Sequence, residues 1–96
     1  MIKKKNGKII NISSIFGLIS KEKRSSYSSS KFGILGLTKS SALDLANKNI
    51  LVNSISPGFI DTDLTRKILK LSGMKKISKT IPMRRLGDIK EVANLC

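Results

Sequence analysis

Two short β-branched runs flank one long helical stretch, and that order constrains the fold of these 96 residues more than any other feature. Residues 7–14, Gly7-Lys8-Ile9-Ile10-Asn11-Ile12-Ser13-Ser14, are bounded by glycine and serines and read as a strand. Residues 50–55, Ile50-Leu51-Val52-Asn53-Ser54-Ile55, read as a second strand, ended by the breaker pair Pro57-Gly58. Their near-continuous apolar character predicts strands covered on both faces, as in a parallel sheet. Residues 15–26 have the charged, polar composition of a loop. A helix is predicted over 26–47, where Leu35, Ala42, Leu43 and Ala46 fall at helical spacings and Phe32, Leu37 and Leu45 widen the apolar surface. Gly33 and Gly36 inside that helix cost about 1 kcal/mol each relative to alanine, which predicts close packing or a close backbone approach there. Lys48-Asn49 is a turn. Strand, long helix, strand is the βαβ unit, whose strands are parallel and whose crossover is right-handed.

Beyond the second strand, Leu64, Ile68 and Leu71 recur at i, i+4 and i+7 and predict a helix. Thr62 or Asp63 is its expected cap and Gly73 its expected stop. Residues 74–82 read as a basic loop. Asp88-Ile89-Lys90-Glu91 has the pattern of a capping box opening a last helix through Val92 and Leu95. Two parallel strands do not make a stable sheet alone, and parallel strands need cover on both faces. The 96 residues are therefore expected to be one part of a larger α/β domain, cut at both ends.

Composition narrows the chemistry. With no histidine, a Ser-His-Asp triad, a Cys-His dyad and a histidine-ligated zinc are excluded. A single cysteine, Cys96, excludes an internal disulfide and a multi-cysteine metal site, and no metal is expected. Any reaction falls to Ser, Thr, Tyr, Lys, Arg and the six carboxylates. Nineteen basic residues against six acidic ones give a formal charge of +13, which raises nucleic acid or a membrane surface as a partner. The lysines and arginines are nevertheless spread along the whole chain, without interleaved aromatics and without an RNP-like, zinc-finger or heptad pattern, so a nucleic-acid module is the lesser expectation. Lys3-Lys4-Lys5 near the start would suit a signal peptide, but the apolar run over 9–19 is broken by Asn11, Ser13 and Ser14 and has no clear cleavage site. No run reaches about 18 apolar residues, the length that reads as a membrane-spanning helix. The expectation is a cytoplasmic protein with no membrane partner.

Tyr27 and Lys31 stand four residues apart at the start of the long helix and share a face. An ammonium beside a phenol favours the phenolate, so the pair can exchange a proton near neutral pH without histidine. Ser14 ends the first strand, where side chains of α/β folds project into the crevice at the carboxyl edge, and its hydroxyl could hydrogen-bond a substrate carbonyl.

Taken together, Asn11-Ile12-Ser13-Ser14, then Tyr27-Ser28-Ser29-Ser30-Lys31, then Gly33, Gly36-Leu37 and Ala42 resemble the short-chain dehydrogenase/reductase family. Val52-Asn53-Ser54-Ile55-Ser56-Pro57-Gly58-Phe59-Ile60-Asp61-Thr62 is similar to that family's strand and Pro-Gly loop over the nicotinamide. Ile81-Pro82-Met83-Arg84-Arg85-Leu86-Gly87-Asp88 with Glu91-Val92-Ala93 looks like its later Pro-x-x-Arg-x-Gly…Glu-Val-Ala segment. The likeness runs the length of the chain and is closest to 3-oxoacyl-[acyl-carrier-protein] reductase-like members. It implies an incomplete Rossmann-like α/β fold, a parallel strand–long helix–strand unit followed by two or more helices, with residues 1–96 as one partial domain.

The resemblance also implies roles. Ser14 matches the serine that orients and polarises the substrate carbonyl, and Tyr27 the acid/base that exchanges a proton with that oxygen during hydride transfer. Lys31 matches the residue that eases the tyrosine's deprotonation and bonds the nicotinamide ribose. Ser14 and Tyr27 would thus meet substrate, and Tyr27 and Lys31 the cofactor, NAD or NADP. Pro57, Gly58, Ile60 and Thr62 fall where the family holds the nicotinamide carboxamide and nearby phosphate, and residues 62–82 where it binds substrate. The implied activity is NAD(P)-dependent oxidoreduction of a small-molecule or acyl-carrier-bound carbonyl, in a protein that is a homo-oligomer at full length. The family's Gly-rich strand–turn–helix, the residue that decides NAD against NADP, the Asn-Ala-Gly segment and the final strand have no counterpart here. The expectation is that more than half the fold is absent, which raises the alternative of a catalytically inactive remnant.

Overall fold

A computed structural model describes all 96 residues, which cluster into two compact units, Met1–Pro57 and Gly58–Cys96. In the first, β1 (Gly7–Ile12) and β2 (Ile50–Ile55) pair in parallel, from Gly7 opposite Ile50 to Ile12 opposite Ile55. The crossover between them is α1 (Ser25–Leu45), 21 residues long, so about 31 Å at 1.5 Å per residue. A single 3-10 turn at Ala46–Lys48 follows, and Asn49 reverses the chain with φ 55° and ψ 38°. That left-handed conformation is one that asparagine tolerates better than most residues. Asn49 also donates from Nδ2 to the Lys5 carbonyl at 3.1 Å, tying the turn to the residues just before β1.

Register decides what is buried. Partners in a parallel ladder share a face, so Ile9 and Asn11 lie beside Val52 and Ser54 on one side, with Ile50 at its start. Ile50 and Val52 are the buried apolar residues, 3% and 7% exposed. Asn11 crosses to the helix, donating from Nδ2 to Thr38 Oγ1 at 2.9 Å, and the Thr38 hydroxyl donates to the Ile34 carbonyl at 2.7 Å. A buried threonine on α1 is thereby fully paired and pins the helix to the strand.

Several sequence expectations are corrected. The strands are not covered on both faces: Ile10, Ile12 and Leu51 remain exposed, because one crossover helix covers one side of a sheet. The first strand ends at Ile12 rather than Ser14, and residues 15–17 form a 3-10 turn inside the expected loop. The long helix begins one residue earlier and ends two earlier than the 26–47 expected, with the 3-10 turn taking its last residues. A Cβ added at Gly33 or Gly36 would meet nothing within 4 Å, so neither glycine serves a close approach here. Phe32, Leu37 and Leu43 are likewise exposed, leaving that helix surface without cover.

The second unit is built around an isolated parallel bridge between Ile60 and Gly87. Asp61 N–H donates to the Gly87 carbonyl at 2.8 Å and Gly87 N–H to the Phe59 carbonyl at 2.9 Å. A Cβ at Gly87 would press on Ile60 Cδ1, the far end of its bridge partner's side chain. Between the bridged residues lies α2 (Asp63–Ser78), capped by Thr62, whose Oγ1 accepts from Thr65 N–H at 3.1 Å. The helix does not stop at Gly73. It breaks instead at Lys70, with φ 56° and ψ 176°, and resumes to Ser78, so most of the loop expected over 74–82 is helical. α3 (Ile89–Leu95) opens on the expected capping box, with Asp88 Oδ1 accepting from Lys90 N–H at 2.8 Å and Glu91 Oε2 from Asp88 N–H at 2.7 Å. No helix is long and apolar enough to cross a membrane.

Candidate active site

The carboxyl end of β1 carries the residues singled out from the sequence. Ser13 extends the ladder by one bond, donating its N–H to the Ile55 carbonyl at 2.8 Å. Ser14 then turns away and caps the 3-10 turn Ile15–Gly17, its Oγ accepting from Phe16 N–H at 3.2 Å. Ser14 is 7% exposed. Its oxygen is held by that backbone donor while its own O–H is given to no protein acceptor. A hydroxyl fixed as an acceptor and unspent as a donor is suited to bonding a carbonyl oxygen.

Tyr27 and Lys31 come from the opening turns of α1. The Phe16 ring meets the Tyr27 ring edge to face, centroids 6.3 Å apart and planes at 83°. The Lys31 ammonium lies 5.6 Å from the Tyr27 ring centroid and donates to the Ile12 carbonyl at 3.4 Å. Tyr27 is 47% exposed, so its phenol is open to a ligand. Ser14, Tyr27 and Lys31 are thus brought to one end of the first unit through Ile12, Ser13 and Phe16. Pro57 joins them, its carbonyl accepting from Ile15 N–H at 2.8 Å in the turn that Ser14 caps.

The other residues assigned to a cofactor from the sequence belong to the second unit. Gly58 has open space where a Cβ would stand. Ile60 forms the bridge to Gly87. Thr62 spends its hydroxyl on the cap of α2 and on a 2.9 Å contact with Thr65 Oγ1. Two ion pairs brace this unit. Arg66 grips Asp61 at 2.7 and 3.0 Å, and its guanidinium hydrogen bonds hold the Asp61 carboxyl below the usual range. Arg85 grips Glu91 at 2.9 and 2.7 Å; that guanidinium, with the Asp88 N–H second, pulls Glu91 down to about 2.

Sequence reasoning missed Ser13 and Gly17. Ser13 Oγ donates to the Lys31 carbonyl at 2.8 Å, and Gly17 lies against both. The available signal was a second serine beside Ser14 with glycine four residues on. The serines of residues 25–30 also divide on inspection: Ser28 is buried and pairs with Ser20 at 2.6 Å, while Ser30 bonds the Tyr27 carbonyl at 2.7 Å.

The first unit has a parallel strand–helix–strand architecture, and residues 1–96 match the family described as enoyl-(acyl carrier protein) reductase. The chain belongs to the short-chain dehydrogenase/reductase family. Within it, the chain is 46% identical over 94 residues to the 3-oxoacyl-[acyl-carrier-protein] reductase of Buchnera aphidicola subsp. Schizaphis graminum, covering 98% of this chain and 38% of that one. It therefore spans well under half of that relative's length. Among solved structures, an NAD+-bound xylitol dehydrogenase superposes with a TM-score of 0.89 at 32% identity, covering 99% of this chain and 42% of that one. ElxO with NADP bound gives a TM-score of 0.88 at 38% identity, covering 98% of this chain and 39% of that one.

Proposed function

We propose that this chain is the catalytic part of an NAD(P)-dependent oxidoreductase that reduces a carbonyl or oxidises the matching alcohol. The observation that carries this reading is the convergence of Ser14, Tyr27 and Lys31 at the end of β1. Ser14 donates its unspent hydroxyl proton to the substrate carbonyl oxygen. Tyr27 passes its phenolic proton to that oxygen as negative charge develops on it, and takes one back in the reverse direction. Lys31 keeps ammonium donors for ribose hydroxyls, since the 3.4 Å bond to Ile12 uses only one. The nicotinamide, when bound, supplies or accepts the hydride.

The residues present suit that group in part. The exposed phenol beside an ammonium offers donors to a nicotinamide ribose. Pro57, Gly58, Ile60 and Thr62 are assigned to the carboxamide and nearby phosphate. Relatives bound to NAD+ and to NADP support either cofactor without choosing between them. The relatives' names support an acyl-carrier-bound 3-oxoacyl thioester as substrate; the working form proposed with it is a cytoplasmic homo-oligomer. The family description names an enoyl reductase instead, but a hydroxyl and a phenol placed together suit a carbonyl oxygen better than a carbon–carbon double bond.

In the protein that carries this chain, Tyr27→Phe should abolish NAD(P)H-dependent reduction of a 3-oxoacyl thioester while cofactor binding persists. Unchanged turnover, or a preference for the enoyl thioester, overturns the reading. A second reading is that the 96 residues alone turn nothing over, favoured by the lack of a Gly-rich turn among them. Saturable NADH or NADPH binding by the isolated chain would refute it.

A further inference from the structure

We propose that Ser13 is a positioning residue, whose buried hydroxyl docks the backbone of Lys31 and so sets the Tyr27–Lys31 face against Ser14. The inference rests on the Ser–Tyr–Lys reading above. Ser13 is 3% exposed, and its Oγ donates to the Lys31 carbonyl at 2.8 Å across 18 residues of sequence. That carbonyl lies inside α1, where the helix already supplies an acceptor role for it, so the Ser13 bond is additional to the helical one. It is not needed to form the helix; it fixes where the helix sits.

Two consecutive residues then act on the same lysine, and the next carries the substrate-facing hydroxyl. Ile12 accepts from the Lys31 ammonium, Ser13 holds the Lys31 backbone, and Ser14 presents the substrate-facing hydroxyl. Lys31 is gripped at both ends by the strand tip that carries Ser14. Sliding or rotating α1 against β1 would therefore break the Ser13 bond to the Lys31 carbonyl.

Gly17 shows that the grip is tight. A Cβ at position 17 would collide with Ser13 Oγ and come within 2.9 Å of the Lys31 carbonyl oxygen. Its φ is not in the left-handed region, so glycine is required there by space rather than by backbone conformation. The 3-10 turn that Ser14 caps thus ends in a residue small enough to let Ser13 reach Lys31. Phe16, one residue earlier in that turn, carries the alignment to the Tyr27 ring.

Misalignment of a reacting group by about 1 Å can cost on the order of 100-fold in rate without changing what binds. Ser13→Ala should therefore lower kcat by about 10- to 100-fold with KM held within about twofold. Gly17→Ala, which displaces the same hydroxyl by another route, should give the same split. The experiment measures both variants beside Tyr27→Phe in NAD(P)H-dependent reduction of a 3-oxoacyl thioester by the protein carrying this chain. In parallel, NMR follows cross-peaks between the Phe16 ring and that of Tyr27, the chain's only tyrosine. Ser13→Ala should weaken them while the far-ultraviolet circular dichroism stays unchanged.

If Tyr27→Phe abolishes turnover while Ser13→Ala leaves kcat and the ring cross-peaks unchanged, the positioning role is wrong and the catalytic reading stands. If Tyr27→Phe leaves turnover unchanged, the catalytic reading falls. The proposal as stated falls with it, even where Ser13→Ala still moves the rings.

Discussion

Lys70 is a lysine in a conformation made for glycine, and replacing it should stabilise the chain. With φ 56° and ψ 176° it lies at the edge of a region occupied almost only by glycine. Holding a residue with a Cβ there costs of order 1–3 kcal/mol. Lys70→Gly removes that strain but gives up about 0.5–1 kcal/mol of extra backbone entropy. The net gain is about 1 kcal/mol, or roughly 4–8 °C in Tm for a domain of 60–100 residues. Lys70→Ala is the control, because it deletes the long side chain and keeps the Cβ. Thermal and urea unfolding followed by circular dichroism should place the glycine variant above the alanine variant by about 1 kcal/mol. Were α2 an unbroken helix at this point, the order would invert, with glycine about 1 kcal/mol below alanine. That inversion refutes the kink.

Two other outcomes follow from the same packing and charges. Thr38→Val leaves the Asn11 amide without its acceptor between strand and helix and should cost about 1–3 kcal/mol in urea unfolding, whereas Thr38→Ser should recover most of it. Glu91, held at about 2 in the folded chain against an ordinary 4.5, binds its proton more readily when unfolded. Its contribution is therefore present above about pH 4.5 and lost as pH falls toward 2. Protection of the Asp88 and Lys90 amides against exchange, taken relative to the intrinsic rate at each pH, should fall across that window, and Glu91→Gln should flatten the dependence.

What the sequence revealed and what it hid have physical reasons. The limits of β2 and the Asp88 capping box were legible because turn residues and capping patterns act locally. The exposure of Ile10, Ile12 and Leu51 was not, since an apolar run records a demand for cover and says nothing of whether cover is there. Gly73 misled because glycine permits a left-handed helix stop without enforcing one. No glycine here has positive φ, and that conformation falls to Lys5, Lys23, Asn49, Lys70 and Arg84. The crowding that Gly33 and Gly36 suggested is at Gly17 and Gly87 instead, where backbone and side-chain atoms from distant residues converge. Ser14, Tyr27 and Lys31 could be picked out by residue type and spacing, and the fold links them through Phe16 and Ile12. Ser13 could not, because its partner's carbonyl reaches it only once α1 has folded back on β1.

Steady-state turnover of Tyr27→Phe, in the protein carrying this chain, tests the central claim most directly. Loss of the proton-transferring phenol should lower kcat by at least about 100-fold, the lower end of what a general acid contributes. NADH or NADPH should still bind with nearly its original affinity. A variant that binds cofactor and reduces a 3-oxoacyl thioester at the original rate would contradict the account.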